Sequence, residues 1–253
     1  DATVLVTGAA SGLGAACCDR LLAETGMYIL ATDLRDEAIR RFPWCARAGD
    51  RVTVSRMDVT SAEEVEAVVR GIPADRPLRA VVHCAGILTA AKLVGRDGPH
   101  DLDLFRRSVE VNLVGTFNVM RWACAVMRDN PPVADEARGV FISTASVAAF
   151  EGQIGQVAYA AAKGGVAAMT LPAARELGRA GIRVVSVAPG VFETPMMGEA
   201  PPAVVESLVA QAVFPKRLGR PDEFASLVLE ILRNPMLNGA VIRLDGAMRM
   251  AAR

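Results

Sequence analysis

Tyr159 and Lys163 are the two residues whose types and spacing most directly suggest chemistry. They lie four positions apart in a stretch with helical spacing, so both side chains leave the same face of a helix. A phenol with a pKa of about 10 is a poor base near neutrality, but an adjacent ammonium favours the phenolate and lowers that pKa. Tyr159 could then exchange a proton with a hydroxyl of a substrate. Because a solvated helix face often shows the same spacing, the pair needs support from other residues.

Ser146 and Asn112 are two further polar residues that suit such a reaction. Ser146 ends a β-branched run, at the carboxyl edge of a predicted strand, where an open α/β sheet binds ligands. Its hydroxyl can hold the reacting oxygen beside the phenol, although an ordinary serine in a turn is the alternative. Asn112 stands in the middle of a predicted helix, an unfavourable place for Asn unless its amide has a task. That task is either to bind a water that passes protons to Lys163 or to cap an irregularity of the helix.

A glycine-rich segment, residues 7–14, follows the first predicted strand and opens the first predicted helix. Glycines permit a tight turn there and let backbone N–H groups at the helix N-terminus approach a pyrophosphate. A plain strand-to-helix turn is the alternative, but the strand before and the helix after favour a dinucleotide site. The predicted contacts in this loop are Gly8, Ser11, Gly12, Leu13 and Gly14.

Acidic residues after the second and third predicted strands suggest where the adenosine end of such a dinucleotide binds. Asp33 comes nineteen residues after the last glycine of the loop, where a carboxylate can accept hydrogen bonds from both ribose hydroxyls. It would repel a 2′-phosphate, so the sequence favours NAD over NADP, although the nearby Arg35 weakens this preference. Asp58 and Val59 are predicted to contact the adenine. Asp58 could instead cap the next helix, for which Ser61 competes.

The elements that must position these residues alternate regularly along the chain. Apolar, β-branched runs predict seven buried strands, at residues 3–7, 27–33, 51–57, 79–83, 139–145, 182–188 and 240–244. Stretches with helical spacing lie between them, at residues 12–24, 62–70, 102–128, 156–181 and 222–233. Such alternation implies βαβ units and an α/β fold, a parallel sheet wound on both sides. No repeat or linker marks a boundary, so one domain over residues 1–253 is expected.

Two segments of the sequence, residues 92–101 and 194–216, are predicted to be irregular loops. The first is polar and carries two glycines, and the second is rich in proline and contains the pair Met196-Met197. Long loops at strand ends are where α/β proteins place substrate contacts. We therefore expect residues 194–216 to form a substrate loop.

Composition and charge exclude several classes of function. Hydrophobic residues make up 52% of the chain and aromatic residues 5%, as suits parallel strands covered by helices. Twenty-eight basic residues balance 28 acidic ones, so no nucleic-acid partner is expected. No apolar run reaches the roughly 18 residues of a membrane span, and no membrane partner is expected. His83 and His100 lack further ligands at metal-binding spacing, so no metal is expected.

The five cysteines are an odd number without a CxxC pair. They are expected to be reduced thiols in a reducing compartment. This favours a cytoplasmic location, with the mitochondrial matrix as the alternative.

In their order and spacing, these motifs resemble the short-chain dehydrogenase/reductase family over essentially the whole chain. The residues that carry the resemblance are the glycine loop, Asn112, Ser146, Tyr159, Lys163 and Pro189-Gly190. The resemblance implies a seven-stranded Rossmann-type sheet, hydride transfer between an alcohol and a nicotinamide, and a homotetramer or a dimer. It also implies a set of cofactor contacts besides Tyr159 and Lys163, namely Cys84, Ala85, Gly86, Pro189, Gly190, Val191 and Thr194.

Within the family, residues 144–156, 214–219 and 242–250 are similar to the members that act on 3-hydroxyacyl-CoA thioesters. Cys84, where many members carry Asn, is typical of that subgroup. The resemblance implies oxidation of the 3-hydroxyl to a 3-oxo group with NAD, in fatty acid metabolism. Ser146, Tyr159 and Gln156 would contact the substrate, together with the loop at residues 194–216. The apolar side chains of that loop could serve as a lid or belong to the core.

Three alternatives to this activity remain from the sequence. The first is a short-chain dehydrogenase that acts on a steroid or another secondary alcohol. The second is a 3-oxoacyl-[acyl-carrier-protein] reductase, which would normally prefer NADPH, so that Asp33 counts against it. The third is a non-catalytic Rossmann scaffold, which would not need the four candidate catalytic residues together.

Overall fold

The computed structural model describes residues 2–96, 98–197 and 201–252. The strands in these residues form where the sequence has its β-branched runs. In chain order they are β1 (Thr3–Thr7), β2 (Tyr28–Asp33), β3 (Val52–Arg56), β4 (Leu78–His83), β5 (Val94–Gly95), β6 (Gly98–Pro99), β7 (Gly139–Thr144), β8 (Ile182–Pro189) and β9 (Val241–Leu244).

Seven of these strands form one parallel sheet in the order β3-β2-β1-β4-β7-β8-β9, which confirms the predicted α/β fold. The chain moves outward from β1 to β3 and then returns to β4 on the other side of β1. In such a sheet the carboxyl ends of the two strands at the reversal border an open crevice. Thr7 at the end of β1 pairs with Thr32 of β2 and His83 of β4, so these three strands end level with one another.

Helices cover both faces of the sheet. They are α1 (Gly12–Glu24), α2 (Asp36–Ile39), α3 (Pro43–Arg47), α4 (Ala62–Arg70), α5 (Leu102–Val109), α6 (Gly115–Arg128), α7 (Ala148–Glu151), α8 (Val157–Leu177), α9 (Pro202–Gln211) and α10 (Pro221–Arg233). No helix in the described part of the chain is both long enough and apolar enough to cross a membrane.

The core consists of two aliphatic layers because side chains alternate along each strand. Val4 and Val6 of β1 belong to the layer beneath α1 and α10, while Leu5 belongs to the layer beneath α4, α6 and α8. All five residues of β1 are buried, as expected for the central strand of a parallel sheet. The five cysteines are free thiols, and three of them are buried.

The predicted long helix at residues 102–128 is interrupted. The structure divides it into α5 and α6 with a π-helical turn, Glu110–Val114, between them. A π turn leaves the hydrophobic spacing on either side intact, so the sequence pattern does not reveal it. The helix predicted at residues 156–181 ends earlier, at Leu177, because a 3₁₀ turn follows and Gly181 adopts a left-handed φ of +68°.

The two segments predicted as irregular loops contain regular structure. In the first, β5 and β6 pair as a short antiparallel hairpin. In the second, α9 occupies ten residues. The prolines of this segment suggested a loop, but proline is well suited to the first turn of a helix, where its missing N–H has no intrahelical partner to lose.

Candidate active site

The carboxyl ends of the parallel strands open onto a cavity of about 960 Å³. This is near the upper end of the range of roughly 300 to 1,000 Å³ for small-molecule sites. The residues predicted to act in catalysis or to bind cofactor or substrate all line it, namely Gly8, Ser11, Gly12, Leu13, Gly14, Asp33, Asp58, Val59, Cys84, Ala85, Gly86, Asn112, Ser146, Gln156, Tyr159, Lys163, Pro189, Gly190, Val191 and Thr194. The fold therefore brings the whole predicted set to one place.

The loop between β1 and α1 makes close backbone contacts that require glycine. Gly8 has a φ of +68°, and a Cβ on Gly14 would lie 2.3 Å from the carbonyl oxygen of Gly8. Ser11 precedes α1 in extended backbone, and within the described residues its side chain makes no capping hydrogen bond. The first N–H groups of α1 therefore receive no hydrogen bond acceptor from the Ser11 side chain. A helix N-terminus that binds an anion needs N–H groups that are available in this way. This loop fits the pyrophosphate of a dinucleotide.

Asp33 lies at the end of the cavity where the adenosine of such a dinucleotide would bind. Its Oδ2 accepts a hydrogen bond from the N–H of Ala10 at 3.1 Å, and its Oδ1 accepts one from the N–H of Arg35 at 3.1 Å. The Nε of Arg35 lies 4.0 Å from the same Oδ1. A carboxylate has about four acceptor sites, so Asp33 retains capacity for ribose hydroxyls while it neutralises Arg35.

Asp58 forms a turn at the cavity wall beside Val59. Its Oδ1 accepts from the N–H of Thr60 at 2.9 Å and from the hydroxyl of Thr60 at 2.7 Å. The cap of α4 is Ser61, whose Oγ accepts from the N–H of Glu64 at 3.1 Å. Of the two residues that could cap this helix, the structure thus selects Ser61 and leaves Asp58 at the cavity.

A buried hydroxyl joins the ends of β1 and β4 beneath the cavity. The Oγ1 of Thr7 accepts from the N–H of Ala85 at 3.1 Å and lies 2.9 Å from the Nδ1 of His83. Donation of the Thr7 proton to Nδ1 leaves the ring proton of His83 on Nε2, which has no partner among the described residues. Burial, together with the charge of Lys163, lowers the pKa of His83 to about 3, so this imidazole is neutral at physiological pH.

Asn112 occupies the π turn and is fully buried. Its Oδ1 accepts from the N–H of Ile87 at 3.1 Å, and its Nδ2 donates to the carbonyl oxygens of Ile87 and Ser108, both at 3.0 Å. The side chain therefore fastens the segment after β4 to a helix irregularity, while its binding of a water that passes protons to Lys163 stays a prediction.

Ser146 and Tyr159 meet at the other end of the cavity. The Oγ of Ser146 accepts from the N–H of Ala148 at 3.1 Å, which leaves the serine proton for donation to another oxygen. Burial raises the pKa of the Tyr159 phenol, and a hydrogen bond from Ser146 opposes that shift. The net direction is opposite to the one expected from the neighbouring ammonium, because the loss of solvent disfavours the phenolate more strongly in the protein alone.

Lys163 is the buried cation of the site, with 4% of its surface exposed. Its Nζ donates to the carbonyl oxygen of Thr144 at 2.7 Å and lies 5.8 Å from the centre of the Tyr159 ring. Burial lowers the pKa of Lys163 to about 8, while the neighbouring Cys84 thiol acts in the opposite direction. Lys163 is thus mostly protonated at neutral pH and poised close to titration.

Gln156, Met196 and Met197 line the same cavity as Tyr159, and the two methionines give it apolar surface. Gln156 directly precedes α8, and its Oε1 accepts from the N–H of Gln153 at 2.9 Å. The other apolar residues suggested for a lid do not line the cavity: Val204 and Val205 lie on α9 away from it, and Leu208 is buried in the core.

Sequence reasoning missed several residues at this site. The carbonyl oxygen of Thr144 accepts a hydrogen bond from Nζ of Lys163, but a backbone acceptor cannot be recognised from the residue type. Arg107 and Glu110 line the cavity from the segment around the π turn. Met250 also lines the cavity, although the similarity of residues 242–250 to the 3-hydroxyacyl-CoA subgroup assigned it no role. No local signal identifies these residues, because their positions depend on how distant segments pack.

Fold and site together define an oxidoreductase that uses a nicotinamide cofactor. A dinucleotide loop, an acidic residue for the adenosine ribose and a Ser-Tyr-Lys group share one cavity. A family model for short chain dehydrogenases matches residues 2–204. The chain belongs to the short-chain dehydrogenase/reductase family, and it is an enzyme.

Individual relatives are similar over nearly the full chain. A 3-hydroxyacyl-CoA dehydrogenase type-2 from Drosophila melanogaster is 45% identical over 99% of this chain and 98% of its own. One of the same name from Homo sapiens is 45% identical over 97% of this chain and 94% of its own. The crystal structure of a 3-hydroxyacyl-CoA dehydrogenase type-2 from Mycobacterium avium superimposes with a TM-score of 0.90 at 39% identity, covering 100% of this chain and 97% of that one.

Proposed function

We propose that this enzyme oxidises the 3-hydroxyl of a 3-hydroxyacyl-CoA to the 3-oxo group with NAD, in fatty acid metabolism, and that it also catalyses the reverse reduction. The observation that carries the proposal is the Ser146-Tyr159-Lys163 group in one cavity that the dinucleotide loop and the apolar side chains of Met196 and Met197 also line. The names of the relatives at about 45% identity support the substrate class.

The cofactor of the proposal is NAD rather than NADP. Support comes from Asp33, whose carboxylate at the adenosine end would repel a 2′-phosphate. Arg35 does not offset this repulsion, because it already lies beside Asp33. A bound NAD would accept the hydride from the carbinol carbon of the substrate.

The side chains of the enzyme would handle the proton. In oxidation, Tyr159 must first lose its own proton, and its phenolate then accepts the proton of the substrate hydroxyl while the hydride leaves the carbinol carbon. Ser146 donates to the reacting oxygen and holds it beside the phenol. The ammonium of Lys163 stabilises the phenolate. Since burial raises the pKa of Tyr159, the phenol is protonated at neutral pH and ready to donate in the reductive direction.

We also propose a homotetramer or dimer. Apolar side chains are exposed on the helices around the site, among them Phe117 at 55% and Leu171 at 44%. Small residues such as Gly164 and Ala168 on α8 would let a helix of a second copy approach closely. An interface over these helices would cover the apolar surface.

The test is turnover of purified protein, followed by NADH absorbance, with acetoacetyl-CoA, an acetoacetyl carrier-protein mimic and a steroid ketone. Each is offered with NADH and with NADPH. We expect NADH with acetoacetyl-CoA to be the best combination. The substitution Tyr159→Phe should lower kcat/KM by about 10²- to 10⁴-fold, the usual contribution of a general acid.

Tyr28→Phe is the matched control, because Tyr28 is the only other tyrosine of the sequence and starts β2 away from the cavity. It should leave turnover unchanged. Preference for another ketone or for NADPH would overturn the substrate or cofactor part of the proposal. Equal activity of the Tyr159→Phe and wild-type proteins would overturn the proton-transfer role.

A further inference from the structure

The C-terminal segment, residues 245–252, forms part of the apolar wall of the active-site cavity. It leaves β9 and brings the half-buried side chain of Met250 to the same cavity that Gln156 and Tyr159 line. Residues 245–250 belong to the stretch that is similar to the 3-hydroxyacyl-CoA subgroup, but that similarity assigns no role to Met250.

An ion-pair network fixes the start of this segment. The Oε2 of Glu151 accepts a hydrogen bond from the N–H of Met250 at 2.9 Å. Its Oε1 forms an ion pair with Nη1 of Arg243 at 2.7 Å. Arg243 also pairs with Asp245 at 2.7 Å and donates to the carbonyl oxygen of Met248 at 3.0 Å. These groups are largely shielded, with side-chain exposures of 23% for Arg243, 21% for Glu151 and 7% for Asp245. Shielded, charge-assisted bonds of this kind hold geometry better than exposed pairs.

Two hydrogen bonds attach the end of the segment to neighbouring elements. On one side, the N–H of Ile154 donates to the carbonyl oxygen of Ala252 at 3.0 Å, in the loop that leads to Gln156 and α8. On the other side, the N–H of Ala251 donates to Oε1 of Gln211 at 2.8 Å, at the end of α9. The segment thus bridges the wall that precedes the Tyr159 helix and the helix of the substrate loop.

We propose that Met250 determines which acyl-chain lengths the enzyme accepts and that Glu151 is its positioning residue. This inference rests on the proposed acyl-CoA substrate. An unbranched thioether side chain fills space adaptably, and that of Met250 lines the cavity in which an acyl chain attached to the reacting carbon would lie. A smaller side chain at position 250 would enlarge this part of the cavity, and a larger side chain would fill it. Glu151 acts through the backbone N–H of Met250 and does not contact the reacting atoms.

The experiment measures kcat/KM for a series of straight-chain 3-oxoacyl-CoA substrates of increasing length, with NADH. Met250→Ala should raise the ratio of long-chain to acetoacetyl-CoA activity by at least about fivefold, and Met250→Trp should lower it by a similar factor, in line with the discrimination that one or two methylenes give. Met250→Val should fall between Ala and the wild type. Glu151→Gln should raise KM for the longer substrates while kcat and KM for NADH stay close to wild type.

Met248→Ala is the matched control, since Met248 lies two residues away in the same segment, is buried, and does not line this cavity. Its length profile should equal that of the wild type. A profile that is unchanged in all Met250 variants, or that changes equally in Met248→Ala, would overturn the inference and leave the proposed function standing. If the wild-type protein turns over no 3-oxoacyl-CoA, the proposed function fails first and this inference fails with it.

Discussion

At the scale of single residues, Asp33 links two parts of the cofactor site. One carboxylate oxygen holds the N–H of Ala10 in the glycine loop, and the other holds the N–H of Arg35. The charge that would exclude a 2′-phosphate is therefore also the charge that keeps Arg35 occupied. Removing the Asp33 carboxylate would therefore favour NADP in two ways, because the repulsion of a 2′-phosphate is lost and Arg35 is released.

We predict that Asp33→Ser shifts cofactor use towards NADPH. The ratio of kcat/KM for NADH to that for NADPH should fall at least about tenfold, because one carboxylate hydrogen bond to a ribose is lost and Arg35 is released to bind a phosphate. Initial rates at varied cofactor concentration measure this ratio. Asp36→Ser serves as the control, because Asp36 pairs with Arg40 outside the cavity. An unchanged ratio in Asp33→Ser would refute this role.

The residue types in the sequence were enough to predict the candidate site. The environment of each residue in the folded protein could not be predicted from them. Tyr159 and Lys163 were identified from their spacing, and the fold places both at the cavity. The direction of the Tyr159 pKa was predicted wrongly for the protein alone, because burial depends on how α8 packs and not on the neighbouring residues in sequence. Met250 was missed for the same reason.

At the scale of elements, the contact between the π turn and the segment after β4 leaves no room for a side chain at position 86. A Cβ on Gly86 would lie 2.7 Å from Oδ1 of Asn112 and 3.5 Å from Nζ of Lys163. Only a glycine lets the segment pass between these two groups without a shift. The element that carries Asn112 and the one that carries Lys163 are thereby kept in register.

We expect Gly86→Ala to impair catalysis more than stability. The added methyl must displace the Asn112 amide or Lys163, so kcat/KM should fall by at least about tenfold, while the free energy of unfolding should fall by about 1 to 3 kcal/mol, as for overpacking. Steady-state kinetics and urea unfolding give the two quantities. Gly26→Ala is the control, since a Cβ there meets nothing within 4 Å. Wild-type kinetics for Gly86→Ala would show that the contact is not tight.

The sequence predicted the seven strands of the sheet closely because each is an apolar, β-branched run, although only the inner strands are buried and the edge strands β3 and β9 are half-buried or exposed. It did not predict the π turn, the hairpin of β5 and β6, or α9. The hairpin is two residues on each side and is held by pairing rather than by a hydrophobic pattern. In α9, the prolines masked a helix whose start they favour.

At the scale of the whole molecule, the neutral His83 makes stability depend on acidity. An unfolded histidine binds a proton near pH 6.5, whereas burial keeps His83 unprotonated until about pH 3. Between these values the unfolded state holds one more proton than the folded state. Stability is therefore fully present above pH 6.5 and is lost as the pH falls, by about 1.4 kcal/mol per pH unit from this group alone.

We predict that His83→Asn flattens the acid limb of the stability curve. The Asn oxygen can accept from Thr7 as Nδ1 does, but it does not titrate. Urea unfolding over a series of pH values below 6.5 should show a slope smaller by about 1.4 kcal/mol per pH unit than in the wild type. His100→Asn is the matched control, because it removes the other histidine of the sequence, which lies outside the core. Parallel curves for wild type and His83→Asn would disprove the account.

The π turn between α5 and α6 also limits how this chain can vary in length. Such a turn holds one residue more than a regular α-helix would over the same rise. A deletion of one residue there would let the two helices fuse into one regular helix, with α5 and α6 in nearly their present orientation but with the residues of the turn shifted around the helix axis. Asn112 would then lose its hydrogen bonds to the segment after β4. Homologous genes should therefore tolerate gaps in the hairpin of β5 and β6 but not within Glu110–Val114.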